Sequence, residues 1–145
     1  MPVGVAVDTV GIDTLSAAGL CADIGDFARF AHPRLLAGFL GITPSEHTSD
    51  DTRRQGAITK AGPSHARRLL VEAAHHYRRP PRLGVALQRR QAGADPRVCD
   101  VAWRAHRLYR QWQRLHTQRR RPSGVVTVAC ARELSAFLWE AATIT

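Results

Sequence analysis

The sequence predicts a mostly α protein, a compact bundle of about five helices with a long irregular loop or short hairpin at 42–61 and one long basic helix near 95–118. Three observations predict it. Apolar residues recur at three- and four-residue spacing through most of the chain. Gly and Pro punctuate the ends of those stretches. From Ile42 to Ala61 the helical pattern fails, where Pro, Ser, Thr, Asp and Gly are dense. At 145 residues, 44% hydrophobic and 23% charged, the chain suits one folded domain with one modest core.

After Gly11, Asp13 or Thr14 can cap a first helix with Leu15, Ala18 and Cys21 or Ala22 on its apolar face, stopping near Gly25. Pro33 suits the first turn of a second helix that ends at Gly41, with Leu36, Phe39 and Leu40 inward. Within the irregular stretch, Ala57-Ile58-Thr59 fits a short strand. Helix resumes at Pro63 or Ser64, with Leu69, Leu70, Ala73 and Tyr77 inward and Arg67, Arg68 and Arg78 outside, until Pro80-Pro81 ends it. A short helical segment over 82–91 precedes Gly93.

Asp95-Pro96 then opens the longest helix, whose stripe is Val98, Val101 or Ala102, Ala105, Leu108 or Tyr109, Trp112 and Leu115. A regular helix to Gln118 would be about 36 Å long. Its other face holds Arg97, Arg104, Arg107, Arg110 and Arg114. Trp103 and Trp112 point in different directions on such a helix, so they form no common base-stacking platform, and packing roles are expected for both. The last segment, 123–144, carries Val126, Cys130, Leu134, Phe137, Leu138 and Ala141 on an apolar face and packs as the final helix.

Charge is distributed unevenly. The net value is +9, with −5 over residues 1–52, +15 over 53–121 and −1 over 122–145. A segment at +15 suits a polyanion, because each phosphate neutralised releases condensed counterions. Only Lys60 is lysine; the other 20 cations are arginines, whose planar fork matches phosphate oxygens. A solvated surface in an Arg-biased chain would show the same composition. Cys21, Cys99 and Cys130 are widely spaced and form no CxxC pair, so they read as buried thiols and not as a zinc site or a disulfide framework. No apolar run approaches a membrane span and the N-terminus lacks signal-peptide character, so a cytoplasmic location is expected.

Several residues have side chains suited to chemistry. Ser45, Thr48 and Ser49 precede Arg53, Arg54 and Lys60, so hydroxyls able to attack a phosphate lie along the chain from cations able to hold one. By pattern alone, a loop serine is a turn or cap residue more often than a nucleophile. Asp50 and Asp51 read as turn residues rather than metal ligands, and His47 as a solvated loop histidine or a base. His75-His76 point to adjacent helix faces, poor geometry for one metal. Val10-Gly11-Ile12-Asp13 fits either the phosphate-holding turn of a helix–hairpin–helix module or a plain helix start.

The segments GIDTLSAAGLCADIGDFARF, LAGFLGITPSEHTSDDTRRQGAITKAGPSHARRLLVEAAHHYRR, QAGADPRV…AWRAH and VVTVACARELSAFLWEAAT resemble the C-terminal transposase domain of the insertion-sequence one-ten family, the transposases related to Piv invertases. The resemblance spans about Gly11 to Thr143. It divides the chain into an irregular 1–10 and a transposase domain over 11–145, with a helix–hairpin–helix-like start at 11–41, a serine loop at 42–61 and a basic helical part at 62–145. It implies DNA transposition, with DNA as partner, a guide RNA in some members, and homo-oligomers of the full-length protein. It makes Ser49 the catalytic residue, and Asp50 stands where the family usually has glycine. Arg53, Arg54, Lys60, Arg67, Arg68, Arg104, Arg107 and Arg114 are the expected nucleic-acid contacts.

In the family the serine works with an acidic tetrad of an N-terminal RuvC-like domain that binds divalent metal. This sequence contains no such tetrad. No metal or other cofactor is therefore expected in this chain, magnesium being implied only for the RuvC-like domain. That domain would come from a separate chain, or the sequence is a truncated copy, or Met1 is a non-native start. The alternatives are a non-catalytic nucleic-acid-binding helical module and an inactive remnant.

Overall fold

The computed structural model describes residues 12–49, 52–80 and 84–144, of which 14, 46–49, 52–56, 86 and 90 are described by backbone alone. In chain order the elements are α1 (Thr14–Ile24), a 3-10 turn (Phe27–Arg29), α2 (Pro33–Leu40), β1 (Pro44–Ser49), β2 (Thr52–Ile58) and α3 (Ser64–His75), which runs into a second 3-10 turn (His76–Arg78). Then follow α4 (Val85–Gln91), α5 (Pro96–Ala105), α6 (Leu108–Gln113), a π-helical turn (Arg114–Gln118) and α7 (Ser123–Ala142). The protein is mostly α, and its only sheet among the described residues is the antiparallel pair β1–β2.

The 20-residue α7 is the axis. Helices α2, α3, α5 and α6 pack on it, and α1 packs on α3. Val126, Cys130, Leu134 and Leu138 recur every four residues on α7 and are all buried, the spacing that keeps side chains on one helix face. They meet Leu36 and Leu40 of α2, Leu70 and Ala74 of α3, and Leu108 and Trp112 of α6 in one core. A smaller cluster joins Val98 and Val101 of α5 to Ala141, with Phe137 and Ile144 against it. Burial and the nearby Glu133 charge push the Cys130 thiol up to about 12. Cys21 and Cys99 are only half-buried, because they sit at the margin of their helices' inward faces.

The helix termini follow from local chemistry. Asp13 accepts from the Ser16 N–H at 2.7 Å and Asp95 from the Arg97 N–H at 2.9 Å, each satisfying an otherwise unpaired first-turn donor. Pro33 and Pro96 occupy first turns. Arg29 donates to the Ile24 carbonyl at the end of α1 at 2.8 and 3.2 Å, and its guanidinium lies over Phe30 and Phe39 at 4.4 and 4.7 Å. It thereby joins the α1–α2 connection by hydrogen bonds and cation–π contact together.

Three expectations are corrected. On α1 the buried residues are Ala17, Leu20 and Ile24, while Leu15 is 83% exposed and Ala18 and Ala22 are exposed. TLSAAGLCADI is apolar almost all round, so its own pattern does not select a face; packing on α3, including His65 Nδ1 2.9 Å from Asp23 Oδ2, does.

The 95–118 run is not one regular helix. At His106 and Arg107 the N–H groups bond to Trp103 and Arg104, three residues back. The run then continues as α6 and ends in i→i+5 pairing, with Arg119 N–H on Arg114 O. The tightened turn lets α5 serve the small cluster while α6 turns Leu108 and Trp112 into the main core. Trp103, expected to pack, is 45% exposed and forms a T-shaped ring contact with His106 at 4.6 Å, whereas Trp112 is buried.

Candidate nucleic-acid interface and serine hairpin

The hairpin is anchored at its base by two glycines and an arginine. Gly41 closes α2 in the left-handed region at φ 72°, and Gly62 adopts φ 75° before α3. A Cβ on Gly41 would overlap the Ala61 backbone, and one on Gly62 the Phe39 carbonyl. The two chain segments therefore cross at a separation that only glycine permits. Thr59 N–H donates to Thr43 O at 3.1 Å and Lys60 N–H to Gly41 O at 3.0 Å. Arg67 Nη1 donates to both Leu40 O (3.2 Å) and Ala61 O (3.0 Å), while Arg132 Nε of α7 donates to Ile42 O at 3.1 Å.

Beyond that base, the extensive packing of each strand is against the other strand. Glu46 pairs with Gln55, His47 with Arg54, Thr48 with Arg53 and Ser49 with Thr52, after an irregularity between Pro44 and Glu46. Ser45 Oγ donates to Ala57 O at 2.8 Å. Five residue steps from Pro44 put Ser49 about 17 Å along the ribbon. The register places His47, Ser49, Thr52 and Arg54 on one face and Thr48 and Arg53 on the other. The irregular stretch is thus a hairpin, with strands longer than the Ala57–Thr59 segment that the sequence suggested. Asp50, Asp51 and Gly11 lie outside the described residues, as do residues 1–10, for which an irregular segment is expected.

The predicted cations fall into different settings. Arg67 is half-buried and closes the hairpin base. Arg68 is 4.0 Å from Glu72 with both side chains exposed, a weak pair. Arg104 bridges Asp100, at 3.1 Å, and Glu140 of α7; its hydrogen bonds to Glu140 and then Asp100 raise its pKa further. Arg107 lies 3.4 Å from Glu133 and 5.3 Å over the Phe137 ring. Lys60 and Arg114 are exposed, without a side-chain partner among the described residues. Arg53 and Arg54 are placed by backbone register alone, facing Thr48 and His47.

Sequence reasoning missed Glu133. This carboxylate lines three adjacent clefts of about 370, 370 and 380 Å³. The first, which includes Arg104, Arg107 and Glu140, lies between α5 and α7; the second, with Thr43 and Arg132, adjoins the hairpin base; the third is lined by Arg107, Arg110, Gln111 and Arg114. A lone Glu in an apolar helical pattern gives no sequence signal of that position.

At the N-terminus of α1 the Asp13 carboxylate occupies the place a phosphate would take, as in a plain helix start. Among the described residues, no three His, Cys, Asp or Glu side chains gather into a group that could hold a metal. No helix of the described residues is long and apolar enough to cross a membrane.

A helical body that carries an anchored two-stranded ribbon with exposed arginines on neighbouring helices defines the architectural class of the chain. Residues 8–88 match the model of the Transposase IS116/IS110/IS902 family, and the chain belongs to that family. It is similar to the putative transposase y4qE of Sinorhizobium fredii, 40% identical over 129 residues that make up 89% of this chain and 33% of that protein. It is also similar to a probable family 20 transposase of Pseudomonas aeruginosa, 31% identical over 129 residues, 89% of this chain and 32% of that protein. The chain thus spans about a third of the length of the curated relatives it matches.

Proposed function

We propose that this chain is the serine-bearing, DNA-contacting domain of a transposase, and that Ser49 is its nucleophile. The observation that carries the reading is the hairpin register: Ser49 stands at the far end of β1, on the ribbon face that also holds His47 and Arg54. In the reaction the Ser49 Oγ–P bond forms as the bond from phosphorus to a deoxyribose oxygen breaks. The hydroxyl proton passes to a base, for which His47 is positioned two residues away on the same face, and the leaving oxygen is protonated. Arg54, on the same face, holds the charge that develops on the phosphate oxygens, while Arg53 on the opposite face and Lys60 at the hairpin base contact neighbouring phosphates of the backbone.

Acidic residues for a divalent metal such as magnesium belong to a RuvC-like domain in the proteins this chain resembles. That domain acts here from a separate chain or another part of a longer protein, within a homo-oligomer, with DNA and in some systems a guide RNA as partners. The helical body's share of the work is to hold the ribbon and contact the backbone.

With a RuvC-like chain and DNA supplied, mass spectrometry is expected to locate a phosphoserine–DNA adduct on Ser49. Ser49→Ala is expected to abolish the adduct while retaining DNA binding. Undiminished strand joining by Ser49→Ala would exclude the nucleophile. Salt-sensitive binding without any adduct in the parent chain would favour a non-catalytic nucleic-acid-binding module.

A further inference from the structure

The arginines of the 95–121 region divide into two electrostatic classes. Arg104 and Arg107 face Glu140 and Glu133 of α7. From Leu108 to Pro122 the sequence contains Arg110, Arg114, Arg119, Arg120 and Arg121 and no Asp or Glu. All five are exposed, and none has a side-chain partner among the described residues.

The basic turn is held in a defined conformation. Arg119 N–H donates to Arg114 O at 3.1 Å and Arg121 N–H to Leu115 O at 3.0 Å, and the His116 Nδ1 lies 3.2 Å from Arg121 O. Arg120 adopts a left-handed φ of 51°, which a residue with a Cβ takes up only at a cost. The turn therefore keeps three adjacent cations together one step beyond the cleft that Arg107, Arg110, Gln111 and Arg114 line with Glu133. Among the described residues no aromatic ring lines that cleft, whereas unpaired strands are held largely by stacking their bases on aromatic side chains. Guanidinium forks and a side-chain amide suit phosphate and sugar oxygens of a paired backbone.

We propose that this cleft and the Arg119–Arg121 turn form a binding surface for the backbone of a nucleic-acid duplex, separate from the hairpin, and that Glu133 limits its affinity. Glu133 acts in two ways: it holds Arg107, and it places a negative charge where phosphates lie. Because Glu133 also lines the cleft beside Thr43 and Arg132, a bound duplex continues from α6 toward the hairpin base. The proposal rests on the nucleic-acid reading above but not on the role of Ser49.

The test is fluorescence anisotropy of the full chain with a short DNA duplex, an RNA duplex and the matching single strand, across a range of salt. Arg110→Gln with Arg114→Gln is expected to weaken duplex binding about tenfold and to reduce the log–log salt slope by about 1.8, at about 0.9 per phosphate contact. Glu133→Gln is expected to tighten binding several-fold and steepen the slope. Arg89→Gln on α4 and Glu72→Gln on α3 are the controls for a general change of charge.

Whichever duplex binds more tightly identifies the natural source, and either supports the proposal. Arginine variants indistinguishable from Arg89→Gln, a Glu133→Gln effect no larger than that of Glu72→Gln, or tighter binding of the single strand each overturn it. Binding by the parent chain with those patterns sinks only this surface. A parent chain that binds no duplex at low salt sinks the nucleic-acid reading as well, and loss of the Ser49 adduct alone leaves both standing.

Discussion

Substitution of Gly62 by alanine isolates the force that holds the hairpin to the helical body. Gly62 has φ 75° and Gly25 has φ 76°, but a Cβ at Gly25 meets nothing within 4 Å, whereas one at Gly62 would overlap the Phe39 carbonyl oxygen. Gly38, in α2, also has open space around it and no positive φ. The three positions separate three effects of one methyl group. Gly38→Ala should stabilise the protein by about 0.5–1 kcal/mol through reduced freedom of the unfolded chain and better helix propensity.

Gly25→Ala should destabilise by about 1–3 kcal/mol, because φ 76° with ψ −132° lies outside the left-handed helical region and is adopted almost only by glycine. Gly62→Ala carries the cost of its positive φ, about 1–2 kcal/mol, and a further ~1–3 kcal/mol, since a backbone carbonyl at the end of α2 cannot swing aside as a flexible side chain does. The expected total is about 2–5 kcal/mol. Urea denaturation followed by circular dichroism measures all three. A Gly62→Ala loss no larger than about 1–2 kcal/mol, the cost of the positive φ alone, would refute the close crossing of the chain at the hairpin base.

Two further outcomes follow from the same structure. Arg67→Met retains much of the aliphatic packing but leaves the Leu40 and Ala61 carbonyls without their shared donor; a loss of about 1–3 kcal/mol is expected by denaturation, with accelerated amide exchange at Thr59 and Lys60. Burial lowers the pKa of His106, and burial, with Arg78, His76 and Arg79 nearby, lowers that of His75. A histidine whose folded pKa is depressed favours folding in its neutral form, so its contribution is present above the unfolded value near 6.5 and is lost as pH falls from there through the folded pKa. The urea midpoint should therefore drop on acidification across that window, and less steeply in His106→Gln; an unchanged pH dependence in the variant would contradict the assignment.

Legibility in the sequence tracks the range over which each feature is decided. Asp13, Gly25, Pro33, Gly41, Asp95 and Pro96 act within one turn of themselves, so the beginnings of α1, α2 and α5 and the ends of α1 and α2 could be placed from residue type. The stripe of α7 was equally plain, because four-residue spacing of large apolar side chains admits only one inward face. By contrast, α1 is apolar around most of its circumference and its buried face depended on α3. The tightening at His106–Arg107 depended on two separate clusters claiming α5 and α6.

The candidate site divides along the same line. Ser49 and the cations that follow it are adjacent in sequence, and both the resemblance and the charge distribution singled them out. Which arginines are committed to the fold was decided by partners far along the chain: Arg67 with a carbonyl 27 residues away, Arg104 with a carboxylate 36 away, Arg132 with a carbonyl 90 away. The sequence by itself determined the helical class, the family, the positive charge and most element ends, because these depend on composition and neighbouring residues. Only the tertiary structure decided how the ribbon is anchored and which cations are left for a ligand, because hydrogen bonds and ion pairs between distant segments exist only once those segments have been brought together.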